Sequence, residues 1–175
     1  MKYFINFLLI ASVALMCGCS NYRLAGTPIK LPFRSVYVQP VKNFSYAPQA
    51  TNLLTNAISD AISQTPELKT ANVGDADAVL DVVLVDYSKL KYASKSTRNA
   101  MGELDTALAA AYKVTATVEC TLTMGGKVLF DKRKVSASII IYPSNNDFLN
   151  SEYQNMPILM RELGGKIKDT IIGIW

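Results

Sequence analysis

Few residues of this chain of 175 amino acids suit covalent or acid–base chemistry. Histidine is absent, which removes the commonest general base and metal ligand, so neither a Ser-His-Asp nor a Cys-His site can be built. Carboxylate pairs occur at Asp75 with Asp77 and at Glu103 with Asp105, in polar turn-like segments where acidic pairs are ordinarily solvated. Gly125-Gly126 and Gly164-Gly165 are lone pairs without the spacing of a phosphate-cradling loop. No catalytic residue, metal site or bound cofactor is expected, and the chain does not read as an enzyme. The chemistry that remains belongs to the thiols of Cys17, Cys19 and Cys120.

Lys2 supplies a positive start, and Phe4 to Met16 form an apolar run in the layout of a secretory signal. The run is shorter than the about 20 residues a spanning helix needs. Gly18 directly before Cys19 matches the pattern at which a bacterial lipoprotein is cut and its new N-terminal cysteine acylated. Residues 1–18 therefore read as a removed signal peptide, and Cys19 as the lipid-bearing first residue of the mature chain. Cys17 is the weaker candidate, because Met16 poorly fits the small residue the peptidase prefers. A plain secretory signal with two structural cysteines is the remaining alternative. An aspartate after Cys19 would resemble an inner-membrane retention signal; the residue is Ser20, so the outer membrane is the expected address. Each buried acyl methylene contributes about 0.8 kcal/mol, enough for several chains to anchor the protein without a spanning element. Cys120 is then the one free thiol, and no intrachain disulfide is possible.

Removing residues 1–18 takes only Lys2 from the 18 Lys and Arg and none of the 14 Asp and Glu, leaving a formal charge of +3. That mild excess permits attraction to anionic lipid or sugar phosphates, but without a dense basic stripe no nucleic-acid partner is expected. The length suits one domain with its own core.

The elements that would position these residues follow from patterning. Residues 19–34, with Pro28 and Pro32, read as an extended tether, and 35–175 as a single domain. Ser35 to Gln39 reads as a strand ended by Pro40. Between Pro48 and Pro66, Leu54, Ala57, Ile58, Ala61 and Ile62 follow helical spacing. Ala78 to Ser88 reads as a central strand buried on both faces. A parallel crossover joins the two strands across that helix. Residues 93–111 read as a long loop. From Tyr112 to Met124, apolar residues alternate with a polar row containing Thr115, Thr117, Glu119, Thr121 and Thr123, a strand with one dry and one wet face. Cys120 falls on the dry side. Gly125-Gly126 predicts a tight hairpin into a strand over 127–142, whose change of apolar parity predicts a bulge near Asp131 to Lys134. After a polar loop over 143–151, a closing helix is predicted with an Asn155 cap, Pro157 in its first turn, and a stripe of Met160, Leu163, Ile167, Ile171 and Ile174. Trp175 is expected to pack on the sheet edge. The expected fold is α+β: a two-layer sandwich with two helices on one face of a four-stranded mixed sheet, in the order β-α-β-β-β-α.

Cys19 followed by Tyr22-Arg23-Leu24-Ala25-Gly26, then Leu31-Pro32, Val36-Tyr37-Val38 and Asn43, resembles the opening of the lipopolysaccharide-assembly lipoprotein family, LptE. Ala76-Asp77-Ala78-Val79-Leu80, Ala110-Ala111-Tyr112 and the amphipathic C-terminal helix continue the likeness over nearly the whole mature chain. The resemblance implies a plug inside the outer-membrane β-barrel LptD, lipid-anchored on the periplasmic side and reaching into the lumen. Such a plug helps the barrel assemble and assists delivery of lipopolysaccharide to the outer leaflet; no bond is broken. It also implies lipopolysaccharide binding through basic residues. Position, rather than a motif, nominates Arg98 in the long loop and Lys132, Arg133 and Lys134 on the hairpin, although charged edge residues also guard strands against aggregation. Val36 to Val41, Asn43 and the helix after them also resemble lipoproteins that activate cell-wall synthases or build secretion channels, so a periplasm-facing regulator or channel subunit is the alternative.

Overall fold

The computed structural model describes residues 30–94, 97–98, 101–102, 104–105, 109–143 and 147–173. The elements are β1 (Ser35–Val38), β2 (Lys42–Asn43), α1 (Ala50–Ser63), β3 (Lys69–Thr70), β4 (Ala78–Ser94), β5 (Thr97–Arg98), β6 (Leu104–Asp105), β7 (Ala109–Met124), β8 (Lys127–Ile141) and α2 (Phe148–Ile172). The main sheet has six strands in the order β3-β1-β4-β7-β8, with β2 also paired to β4. The four-stranded sheet anticipated from patterning is thus corrected to a six-stranded mixed sheet, running β-β-α-β-β-β-β-α along the chain. The two added strands are each two residues long, too short to show a period of two. β4 outruns β1, which pairs only with Ala78 to Leu80, and β2 continues the parallel pairing at Val83 and Leu84. β1, β2 and β3 all pair in parallel, whereas β4, β7 and β8 form an antiparallel meander.

Alternation sorts the meander into two faces. Leu80, Val82 and Leu84 of β4, Val114, Ala116, Val118, Cys120 and Leu122 of β7, and Val135 and Ala137 of β8 are buried. Against them lie Leu54, Ile58 and Ile62 of α1 and Met156, Leu159, Met160, Leu163, Ile167 and Ile171 of α2, each set at helical spacing. Burying a large aliphatic side chain contributes about 1.5–3 kcal/mol, so this layer dominates stability. β4 was expected to be dry on both faces; instead it alternates, with Val79, Val83 and Val85 only half-buried. Valine suits a pleated surface whether or not a second layer covers it, so a valine-rich run overstates burial.

The chain joins this core before β1. Phe33 is buried, and Leu31 packs against the cluster. The Asp77 carboxylate accepts the amide protons of Arg34 at 2.9 Å and Ser35 at 3.0 Å, while the Asp77 amide donates to the Ser35 hydroxyl at 2.9 Å.

Three further boundaries differ from expectation. β4 and β7 stay paired as far as Ser94 with Ala109, and β5 pairs with β6 beyond them, so much of the anticipated 93–111 loop is β-structure. The ribbon carries exposed Leu90, Lys91 and Tyr92; without a covering layer it has no dry face to mark it as strand. α2 begins seven residues before Asn155, at Phe148, with Asp147 as its cap accepting the Asn150 amide at 3.0 Å. Pro157 therefore lies inside the helix, where it cannot donate to the Tyr153 carbonyl, and the polar loop before α2 is correspondingly shorter. Gly125 (φ 54°) and Gly126 (φ 80°) make the hairpin turn that glycine's missing Cβ allows. The expected bulge is present: Cys120 faces Arg133 and Leu122 faces Phe130, leaving Asp131 and Lys132 opposite Thr121, with Lys132 at φ 44°. Trp175 lies outside the described residues.

Candidate functional site

Among the described residues, none forms a second layer on the face of the meander away from the helices. Its polar residues form cross-strand rows, Ser88–Thr115–Ser138 and Asp86–Thr117–Ser136, each spanning β4, β7 and β8. Two ion pairs lie on this face, Lys134 with Glu119 at 3.8 Å and Lys42 with Asp81 at 2.8 Å. The Ser and Thr hydroxyls donate and accept equally and Asp86 accepts, so the rows make a hydrated wall suited to water or a polar chain.

The residues nominated for lipid binding are not gathered into one site. Cys19 lies outside the described residues. Arg98 is exposed on β5, its guanidinium donating to the Gly102 carbonyl at 2.9 Å. Lys132 sits on the bulge, where its amide donates to the Thr121 hydroxyl at 3.1 Å. Arg133 lies over the Phe130 ring at 5.2 Å, toward the helix side, whereas Lys134 pairs with Glu119 on the open side. Between the β5 end and the bulge, β7 runs from Ala109 to Thr121, about 40 Å of strand. The adjacent Lys132, Arg133 and Lys134 are further split by strand alternation and the bulge.

A cluster that patterning missed lies between β4 and α2. Glu152 is 5 % exposed; its carboxylate accepts the Tyr87 hydroxyl proton at 2.9 Å and the Lys89 ammonium at 2.7 Å. Lys89 also lies 5.8 Å from the Tyr87 ring and 5.5 Å from the Phe148 ring, and Phe148 contacts Tyr112 with ring centroids 4.2 Å apart. Burial and the bond to Glu152 hold the Tyr87 hydroxyl well above the ordinary phenol pKa. A register shift between Leu84 and Asp86 turns Tyr87 and Lys89 toward the helices and Asp86 and Ser88 toward the open face. A signal existed: Glu152 precedes Met156 by four residues and so lies on the apolar stripe of α2, but only once the helix is begun at Phe148. Above the cluster is a cavity of about 150 Å³ bounded by Tyr46, Gln49, Lys89, Leu149 and Tyr153. A larger groove of about 440 Å³ runs between the helices past Asp60, Arg161 and Lys168.

Of the acidic pair at 75 and 77, Asp77 is committed to structure: its pKa is lowered, chiefly by the Arg34 amide and then by Ser35. Cys120 is fully buried, and burial pushes its thiol up to about 12. Among the described residues, no group of three or more His, Cys, Asp or Glu could hold a metal ion, and no helix is long and apolar enough to cross a membrane.

A family model described as lipopolysaccharide-assembly matches residues 33–164. None of the curated proteins is similar enough in sequence to match. Among solved structures, an uncharacterized lipoprotein B from Nitrosomonas europaea is similar at TM-score 0.50 and 14% identity, over 87% of this chain and 88% of that one. A Xanthomonas campestris protein is similar at TM-score 0.54 and 8% identity, over 86% and 89%. A hypothetical protein from Chlamydia trachomatis is similar at TM-score 0.50 and 13% identity, over 81% and 99%. At such identities the likeness is one of fold.

Proposed function

The chain belongs to the LptE lipopolysaccharide-assembly family, a non-catalytic lipoprotein family of the outer membrane, and from that membership we propose that it is the plug of an LptD-type β-barrel. In this reading it helps the barrel assemble and assists the passage of lipopolysaccharide into the outer leaflet. The observation that carries it is the asymmetry of the sheet. One face is sealed by α1 and α2, while the other presents polar rows of Ser, Thr and Asp86 across three strands, with no covering layer among the described residues. A water-filled lumen suits such a face, whereas an apolar partner would leave its hydroxyls unsatisfied.

Acylation of Cys19 would hold the domain at the inner leaflet near the barrel rim. Arg98 on the ribbon and Lys132, Arg133 and Lys134 at the bulge are offered as separate contacts for lipopolysaccharide phosphates, by charge-assisted hydrogen bonds. Affinity purification of the mature lipoprotein tests the partnership. Recovery of a large heat-modifiable barrel protein is the expected result; recovery of a cell-wall synthase or of a homo-oligomeric ring would replace this reading with a regulator or channel subunit. Depletion should lower surface lipopolysaccharide. Loss of the barrel without lipid binding by the purified protein would leave an assembly role alone.

A further inference from the structure

We propose that the cavity between the β2–α1 loop and the first turns of α2 binds one uncharged sugar ring of an envelope glycan, stacked on Tyr46 and hydrogen-bonded by Gln49, Lys89 and Tyr153. The site stands on its own geometry and does not depend on the barrel partnership.

The walls are built to hold a shape. Asn43 ties the loop together: its side-chain carbonyl accepts the Ser45 amide and hydroxyl protons, both at 2.8 Å, and its amide group donates to the Ala47 carbonyl at 2.9 Å and the Thr51 hydroxyl at 3.1 Å. On that braced loop Tyr46 is 101% exposed, an aromatic face that no described residue covers. Opposite it, the Gln49 amide donates to the Tyr153 hydroxyl at 2.6 Å, which fixes both side chains at the rim. Leu149, also exposed, completes the apolar part of the rim. The floor is the Glu152 carboxylate with Tyr87 and Lys89 bonded to it.

The chemistry of these walls selects the ligand. An acyl chain would face the polar floor and a volume of only about 150 Å³. A phosphate or carboxylate would meet a Lys89 charge already balanced by Glu152 at 2.7 Å. A peptide anchored by proline offers acceptors but few donors, and the Tyr153 hydroxyl and Glu152 also accept. A pyranose ring has an apolar C–H face for Tyr46 and hydroxyls that both donate and accept. Aromatic side chains with few fixed polar groups are what a small ligand site needs.

Two envelope polymers carry such rings, lipopolysaccharide and the cell-wall glycan, so two soluble probes are used on the detergent-solubilised mature lipoprotein. One is the core oligosaccharide released from lipopolysaccharide by mild acid, free of its lipid; the other is the cell-wall disaccharide of N-acetylglucosamine and N-acetylmuramic acid. Amide chemical shifts of Tyr46, Gln49, Lys89 and Tyr153 should move in a saturable way with one of them, and the probe that moves them identifies the source. Tyr46→Ala should raise the dissociation constant about tenfold with the rest of the spectrum unchanged, since the removed ring is exposed. Lys69→Ala, on the exposed edge strand β3, should leave it unchanged. Shifts confined to other residues, no response to either sugar, or equal affinity in Tyr46→Ala would overturn the proposal.

Discussion

Gly164 of α2 lies against the backbone of Ala57 in α1, so closely that a Cβ on Gly164 would come within 2.8 Å of the Ala57 carbonyl carbon and oxygen. Its neighbour Gly165 would meet nothing within 4 Å. The helices touch through this bare spot, and the pair of glycines splits into one packing residue and one spare.

Substitution should separate them. Gly164→Ala is expected to destabilise by about 1–3 kcal/mol, because the helices must part, partly offset by alanine's better helix propensity. Gly165→Ala should stabilise by about 0.5–1 kcal/mol. Urea unfolding of both variants checks this; equal effects would mean the helices do not meet at Gly164.

Glu152→Ala leaves the Tyr87 hydroxyl and the Lys89 ammonium without their acceptor. A loss of about 2–3 kcal/mol is expected, below the value for a wholly buried pair because the Lys89 side chain is 40% exposed. Replacing the group together, as Tyr87→Phe, Lys89→Met and Glu152→Leu, should recover most of it, since no polar atom is then stranded. Thermal denaturation of the single and triple variants decides.

Asp77 fastens Arg34 and Ser35 to the start of β4, and its pKa is lowered from 3.8. A carboxylate with a depressed folded-state pKa contributes stability above its unfolded pKa and loses it as pH falls through the folded value. Acid should therefore loosen the Arg34 and Ser35 amides below about pH 3.8. Hydrogen exchange should show the same two amides exposed at neutral pH in Asp77→Ala; unaltered protection would remove Asp77 from this role.

Cys120 should be inert. With its thiol pushed from 9.0 up to about 12, the thiolate fraction at pH 8 falls about a thousandfold, and burial blocks the reagent as well. Labelling should await unfolding. Because the folded pKa is raised, the stabilising contribution is complete below about 9 and is lost as pH climbs toward 12. Rapid labelling of the folded protein at pH 8 would contradict the packing.

Arg98→Ala and the triple change Lys132→Ala, Arg133→Ala, Lys134→Ala should each alter stability by less than about 0.5 kcal/mol. With about 40 Å between the two ends, any effects on lipopolysaccharide binding should add, in free energy, to within about 0.5 kcal/mol. Strong non-additivity in a binding titration would show one ligand bridging both ends.

Much of the framework is written locally. Apolar residues alternating from Tyr112 to Met124 can serve only as a strand with one dry face, and Pro48 and Pro66 bracket α1, each just outside it, because proline is disfavoured in a helix interior. Gly125-Gly126 marks the hairpin, and the parity change after Phe130 requires the bulge. The absence of histidine, likewise, is a property of composition that no fold can alter.

What needed three dimensions depends on partners distant in the chain. β2 and β3 are two residues each and exist because β4 and β1 offer them a free edge. Arg98 and Lys132 look comparable as basic residues in polar segments, yet an extended β7 holds them far apart. Glu152 reads as a solvated charge until α2 is wound back to Phe148 and the shift after Leu84 turns Tyr87 and Lys89 to meet it. Local patterning reports which faces avoid water; which polar group meets which is set by register and helix phase, and these are fixed only when the layers pack.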